Sequence, residues 1–160
     1  MKKIISIIVL AFAAVSLYAQ GGKDIYNRYS GKKGVSAVYI SPAMFNLIKE
    51  LPDIQIESDD VNLSGIIKGF SGMYILDVEE PSLAGQLASE ISSMVEKGKY
   101  ELLMEAVDEG EKMHIYIVRE GDMVTDFLMY AAESDSTSVI SISGTIPMAE
   151  LQKALAAAAE

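Results

Sequence analysis

The stretch from Tyr100 to Thr145 limits the fold more than any other part of the chain. Apolar and polar residues alternate there through four segments, 100–107, 112–118, 123–130 and 138–145, divided only by Glu109-Gly110, Glu120-Gly121-Asp122 and residues 133–137. A period of two marks strands that show one side to a core and the other away from it. Connections so short cannot return the chain to the start of a parallel neighbour. The four strands must therefore form an antiparallel meander.

Register follows from the same alternation. Setting Ala106, Met104 and Leu102 opposite Met113, Ile115 and Ile117 makes one continuous apolar face, the expected core, and a one-residue slip would destroy it. The other face then carries Leu103, Val107, Tyr116, Val118, Leu128 and Tyr130 among Glu101, Glu105, His114 and Asp126, with Glu105 opposite His114 and Leu103 opposite Tyr116. It is either an exposed protein-binding face or a second core layer covered by the N-terminal segment or a helix. A two-residue loop at Glu120-Gly121 would place Asp126 on the apolar face opposite Ile115. A three-residue loop turns Met123, Thr125, Phe127 and Met129 inward and leaves Asp126 in water. Burying an unpaired carboxylate is costly, so the second is expected.

Upstream, residues 35–40 and 70–78 read as strands, the latter interrupted by Gly72, and Asp24 to Tyr29 as one or two helical turns. Ser41-Pro42 opens a helix with an apolar stripe of Met44, Phe45, Leu47, Ile48 and Leu51, stopped by Pro52. Asp59 or Asp60 is expected to cap a short helix holding Val61, Leu63, Ile66 and Ile67. Pro81 opens a longer helix with Leu83, Leu87, Ile91 and Met94 or Val95 at helical spacing, ended by Gly98. Residues 147–159 close the chain as an Ala-rich helix with Met148, Leu151 and Leu155. The expected architecture is α+β: an antiparallel β-sheet of about five to six strands with helices packed on one face, ending in the four-strand meander.

The start of the chain has another logic. Lys2 and Lys3 precede the apolar run 4–17, and Ala19 offers a small residue before a cleavage point. This is the pattern of a secretory signal peptide over residues 1–19, which leaves 20–160 as a single α+β domain. The run is short for a membrane-spanning helix, which needs about 20 residues. No Cys follows it, so the product is not a lipoprotein. Export to the periplasm or the extracellular space is the expectation, with no membrane span after cleavage.

Composition then removes whole classes of chemistry. The 160 residues include no Cys, no Trp and one His, and 13 Lys and Arg stand against 23 Asp and Glu, for a net charge of −10. Losing Lys2 and Lys3 leaves 11 against 23, or −12. There is no thiol nucleophile, disulfide framework or Cys-ligated zinc, and so acidic a chain repels nucleic-acid phosphates.

His114 with Glu105 could make an acid–base couple, although a cross-strand contact of this kind is ordinary. Ser71, in Gly69-Phe70-Ser71-Gly72, is one residue short of a nucleophile elbow and leads into a strand instead of a helix. Asp53, Glu57, Asp59 and Asp60 lack the ligand spacing of a calcium loop. Met104, Met113 and Met123 or Met129 read as packing instead of copper ligands. No phosphate-cradling Gly motif occurs. No catalytic, cofactor-binding or metal-ligating residue is assigned, and no enzyme activity or cofactor is expected.

Specific stretches resemble a known family. They are Gly34-Val35-Ser36-Ala37-Val38-Tyr39-Ile40-Ser41-Pro42-Ala43-Met44-Phe45, then Tyr100-Glu101-Leu102-Leu103-Met104 before an acidic-Gly hairpin, and Ser143-Gly144-Thr145-Ile146 before the last helix. The chain resembles the small exported Bacteroidetes proteins known only as domain of unknown function 4252. The resemblance implies export, a Bacteroidetes source and one α+β domain, and it carries no activity or site residue. The expected role is a periplasmic or envelope module that binds an unknown envelope or periplasmic protein through the mixed apolar–acidic sheet face. An apolar-ligand carrier with its ligand between sheet and helices, and a hydrolase using His114, are the alternatives.

Overall fold

A computed structural model describes residues 21–50, 57–58, 61–62 and 64–157. Residues 1–19, expected from sequence to be a signal peptide, and Leu51, Asp53, Asp59, Asp60 and Leu63 lie outside these residues. In chain order the elements are α1 (Gly21–Tyr29), β1 (Val35–Ile40), α2 (Pro42–Glu50), β2 (Glu57–Ser58), β3 (Val61–Asn62), α3 (Ser64–Gly69), β4 (Phe70–Val78), α4 (Pro81–Lys97), β5 (Tyr100–Asp108), β6 (Glu111–Glu120), β7 (Met123–Ala132), β8 (Thr137–Pro147) and α5 (Met148–Ala157). Six strands form one antiparallel sheet in the order β1-β4-β8-β7-β6-β5, so β5 to β8 are the anticipated meander.

Local signals account for most boundaries. Glu109 (φ 47°) and Gly110 (φ 95°) both take the left-handed conformation that a two-residue hairpin turn needs to match strand twist. At the start of α4 the Glu80 carboxylate accepts from the Leu83 N–H at 2.8 Å, and Pro81 occupies the first turn. Gly98 closes the helix by donating to the Met94 carbonyl at 2.9 Å. The Met148 N–H donates to the Asp122 carbonyl at 2.9 Å, which ties the start of α5 to the β6–β7 hairpin.

The main core lies between the sheet and the pair α1 and α4. Ile25 and Tyr29 from α1 and Ala84, Leu87 and Ile91 from α4 are buried against Leu76, Val78, Leu128, Tyr130 and Val139. The helices thus cover Tyr116, Leu128 and Tyr130, as in the reading that makes this side a second core layer, while Leu102 and Val107 on the edge strand β5 stay 53% and 59% exposed. The supposed core face, with Met104, Met113, Ile115 and Met129, is the side that α1 and α4 leave alone. The expectation of helices on one face describes this large α1–α4 layer. The short α3 and α5 seat against one end of the opposite side, where Ile117, Val124, Ile146 and Leu151 are buried with Ile66, Phe70, Phe127 and Met148 around them.

Among the register shifts in the sheet, those in β5 and β7 change the expected pairings with β6. Leu103 is extra in β5, so Leu102 instead of Leu103 faces Tyr116, and Glu101 instead of Leu102 faces Ile117. Thr125 is extra in β7. Glu120 pairs with Met123 around a two-residue loop, and Val124, not Met123 or Thr125, joins Ile117 and Phe127. Asp126 falls opposite Val118 on the helix-covered side, partly buried and not in open water. An extra residue reverses the side-chain alternation beyond it, which is why simple alternation misplaced these positions. Upstream, residues 61–62 pair as a strand with 57–58 and the helix begins only at Ser64. In α2 only Phe45 is buried, edge-on to Phe70 at 5.7 Å, while Met44 and Leu47 are 49% and 55% exposed.

Candidate interaction face

Register places one apolar row across the whole sheet on the side away from α1 and α4. Met104, Ile115, Met129, Ile140, Ile75 and Val38 are successive neighbours through β5, β6, β7, β8, β4 and β1. None of the six belongs to either buried cluster or packs against one among the described residues. The flanking row Ile117, Phe127, Ile142, Met73 and Ile40 runs toward α3 and α5. The row on the other flank is smaller and more polar: Ala106, Met113, Ala131, Ser138, Asp77 and Ser36. Val38 and Met104 at its two edges are exposed and the four residues between them are half-buried. A continuous apolar surface of this kind marks an interaction site.

This surface changes character at its free end. Asp108 and Glu111 face each other across the β5–β6 hairpin. With Glu133 and Lys112 they line a depression of about 240 Å³, together with Ala106, Met113, Ala131 and Ala132. None of these three carboxylates is in an ion pair among the described residues. At the opposite corner Glu101 takes the Arg119 guanidinium through both oxygens at 3.0 Å, so the cation there is already engaged.

Tyr116 and Tyr130, placed on an expected binding face, lie beneath helices instead, and Tyr130 is 8% exposed. Burial raises the pKa of both phenols. His114 does face Glu105, with Nε2 2.7 Å from the carboxylate oxygen, and its ring is stacked with Tyr116 and Tyr130 at 5.8 and 5.9 Å. Its Nδ1 is buried with no partner among the described residues. Ser71 is not brought to it: the Ser71 hydroxyl donates to the Ser143 carbonyl at 3.0 Å. The base and the nucleophile of the hydrolase alternative are therefore separate. Glu57, the one acidic-loop residue within the described set, sits in β2. Among the described residues no three His, Asp or Glu side chains converge as metal ligands.

A groove of about 430 Å³ opens between α1 and α4, lined by Gly21, Arg28, Ser89, Glu90, Ser93, Met94, Lys97, Gly98 and Tyr100. It lies beside the core, not inside it. Arg28 and Tyr29 both engage Glu90, at 2.7 and 3.0 Å, and so pin the two helices together along it. Sequence reasoning missed this groove and the acidic end of the open face. Asp108-Glu109-Gly110-Glu111 was legible only as a turn, and its meeting with Glu133 depends on sheet order.

A six-stranded antiparallel sheet with a two-helix layer on one side makes this an α+β domain. The chain belongs to the family Domain of unknown function (DUF4252), which matches residues 29–154. No curated protein matches it. Among the described residues no helix is long and apolar enough to cross a membrane.

Proposed function

We propose that this is an exported, non-enzymatic binding module that engages a protein partner through its open sheet face, in the periplasm or outside the cell. The observation that carries the reading is the six-residue apolar row from Met104 to Val38, which the described helices leave uncovered. Burial of apolar area is the main driving force of protein association, and a surface kept apolar on every strand is matched to it. Export rests on the Lys2-Lys3, apolar-run and Ala19 pattern.

The carrier alternative has less behind it, because side chains from α1, α4 and the sheet fill the space where its ligand would lie. A photocrosslinking amino acid at Ile115 tests the reading in cells, with the same residue at Ser92, exposed on α4, as the control. Discrete protein adducts are expected from position 115 and none from 92. Equal labelling from both, or none from 115, would sink it. N-terminal sequencing of the exported product is expected to begin at Gln20.

A further inference from the structure

Resting on the reading of the open face as a binding surface, we propose that its occupant is an amphipathic helix of another protein, apolar where it meets the Met104–Val38 row and bearing Lys or Arg where it reaches Asp108, Glu111 and Glu133. Size and shape come first. Six strands at about 4.8 Å spacing make the row about 24 Å across. A helix of about 16 residues has that length, close to the 17 residues of α4, which already packs on the other side of the same sheet.

Composition comes second. Met104, Met113 and Met129 are unbranched, polarizable side chains, and Met-rich surfaces adapt to the apolar stripe of an incoming helix.

Charge selects the kind of helix. Asp108 and Glu111 are directly opposed on neighbouring strands with Glu133 beside them, and like charges so placed destabilise a hairpin. Lys112 is the only cation at that depression, and none of the three carboxylates is in an ion pair among the described residues. A basic side chain from a partner would lay its stem on Ala106, Met113 and Ala131 and its charge among the carboxylates. A second copy of this chain fits poorly. It carries the same large acidic excess, and Arg119 of its own face is held by Glu101. Anionic lipid is disfavoured on the same ground.

The absence of Trp makes the test direct, because any indole fluorescence belongs to the probe. The probe is an 18-residue helical peptide of Leu and Lys with one Trp, titrated with the protein purified after export. Its counterpart has every Lys replaced by Glu. The Leu/Lys peptide is expected to bind saturably with a blue shift, and the Leu/Glu peptide at least tenfold more weakly. Ile115→Asp should weaken binding about tenfold or more. The exposed pair Asp108→Asn and Glu111→Gln, which leaves the apolar row intact, should weaken it severalfold and flatten its salt dependence.

Equal binding of both peptides, or no effect of the Asp108 and Glu111 changes, overturns the basic helix and leaves the face reading standing. A dimer in sedimentation that Ile115→Asp disperses also overturns it, in favour of a second copy. Tighter binding of the protein to anionic vesicles than to the peptide overturns it in favour of lipid. A monomer that binds neither peptide nor vesicles overturns the face reading as well.

Discussion

Gly22 in α1 lies directly over Ser141 in β8: a Cβ added at position 22 would stand 2.5 Å from the Ser141 Cβ. This close approach lets α1 press onto the sheet and bury Ile25 and Tyr29. It also makes the Tyr116–Leu128–Ser141 side the covered one. Gly22→Ala is expected to cost about 1–3 kcal/mol by overpacking, despite the better helix propensity of Ala. Urea unfolding monitored by circular dichroism measures it, and an unchanged or raised midpoint would contradict the contact.

The assignment of faces makes a sharper prediction. Leu128 is 1% exposed beneath the α1–α4 layer, whereas Ile115, one row removed on β6, points to the open side. Leu128→Ala should destabilise by about 2–5 kcal/mol. Ile115→Thr and Met129→Thr keep strand-compatible side chains at half-buried positions outside both buried clusters, so each should cost clearly less than Leu128→Ala, about 1 kcal/mol. If Ile115→Thr costs as much as Leu128→Ala, the open face is covered in the folded protein.

The strands were legible because alternation is local, whereas the covered side was not. Residues 104, 106, 113, 115 and 117 are apolar, yet so are 103, 107, 116, 118, 128 and 130, and two apolar faces give alternation nothing to choose between. The choice is made by distant residues: small Gly22 and Ala84 where the helices touch the sheet, and Glu90 holding Arg28 and Tyr29. The bulges at Leu103 and Thr125 carry no residue signal, since neither is Gly. Alternation alone therefore marks the candidate face as apolar and assigns it to the interior, and only sheet order brings Glu133 beside Glu111 to make its acidic end.

Asp126 carries a pH dependence. Burial raises its pKa, and the Ser143 hydroxyl, donating to Oδ1 at 3.2 Å, offsets part of the rise. The folded chain then holds this proton more tightly than the unfolded chain. The stability associated with the group is complete below the ordinary value of 3.8 and falls as pH rises through the raised one. Asp126→Asn keeps an acceptor for Ser143 and abolishes the charge. Its melting temperature should exceed that of the parent protein at pH 7, with the gap closing toward about pH 3. A gap that is constant with pH would mean that Asp126 is not desolvated.

At high pH the sensitive contact is between Tyr29 and Glu90. Tyr29 is 1% exposed, and its hydroxyl donates to the Glu90 carboxylate at 3.0 Å. Burial first, then that hydrogen bond and the Glu90 charge, push its pKa from 10.0 up to about 12. Tyr100 is also pushed up to about 12, by burial and then by Asp126. Ionising Tyr29 would set a phenolate against a carboxylate and release α1 from α4. Its contribution is intact below pH 10 and is lost as pH rises through about 12. Tyr29→Phe should cost about 1–3 kcal/mol at pH 7 by removing a hydrogen bond to a charged acceptor. Between pH 10 and 12 the same variant should lose less stability than the parent protein, so the two unfolding midpoints converge. Tyr100→Phe should also lessen the alkaline loss while leaving the Tyr29–Glu90 hydrogen bond in place. Midpoints that stay parallel across that range in the Tyr29 variant would show that the hydroxyl ionises as freely in the folded chain as in the unfolded one.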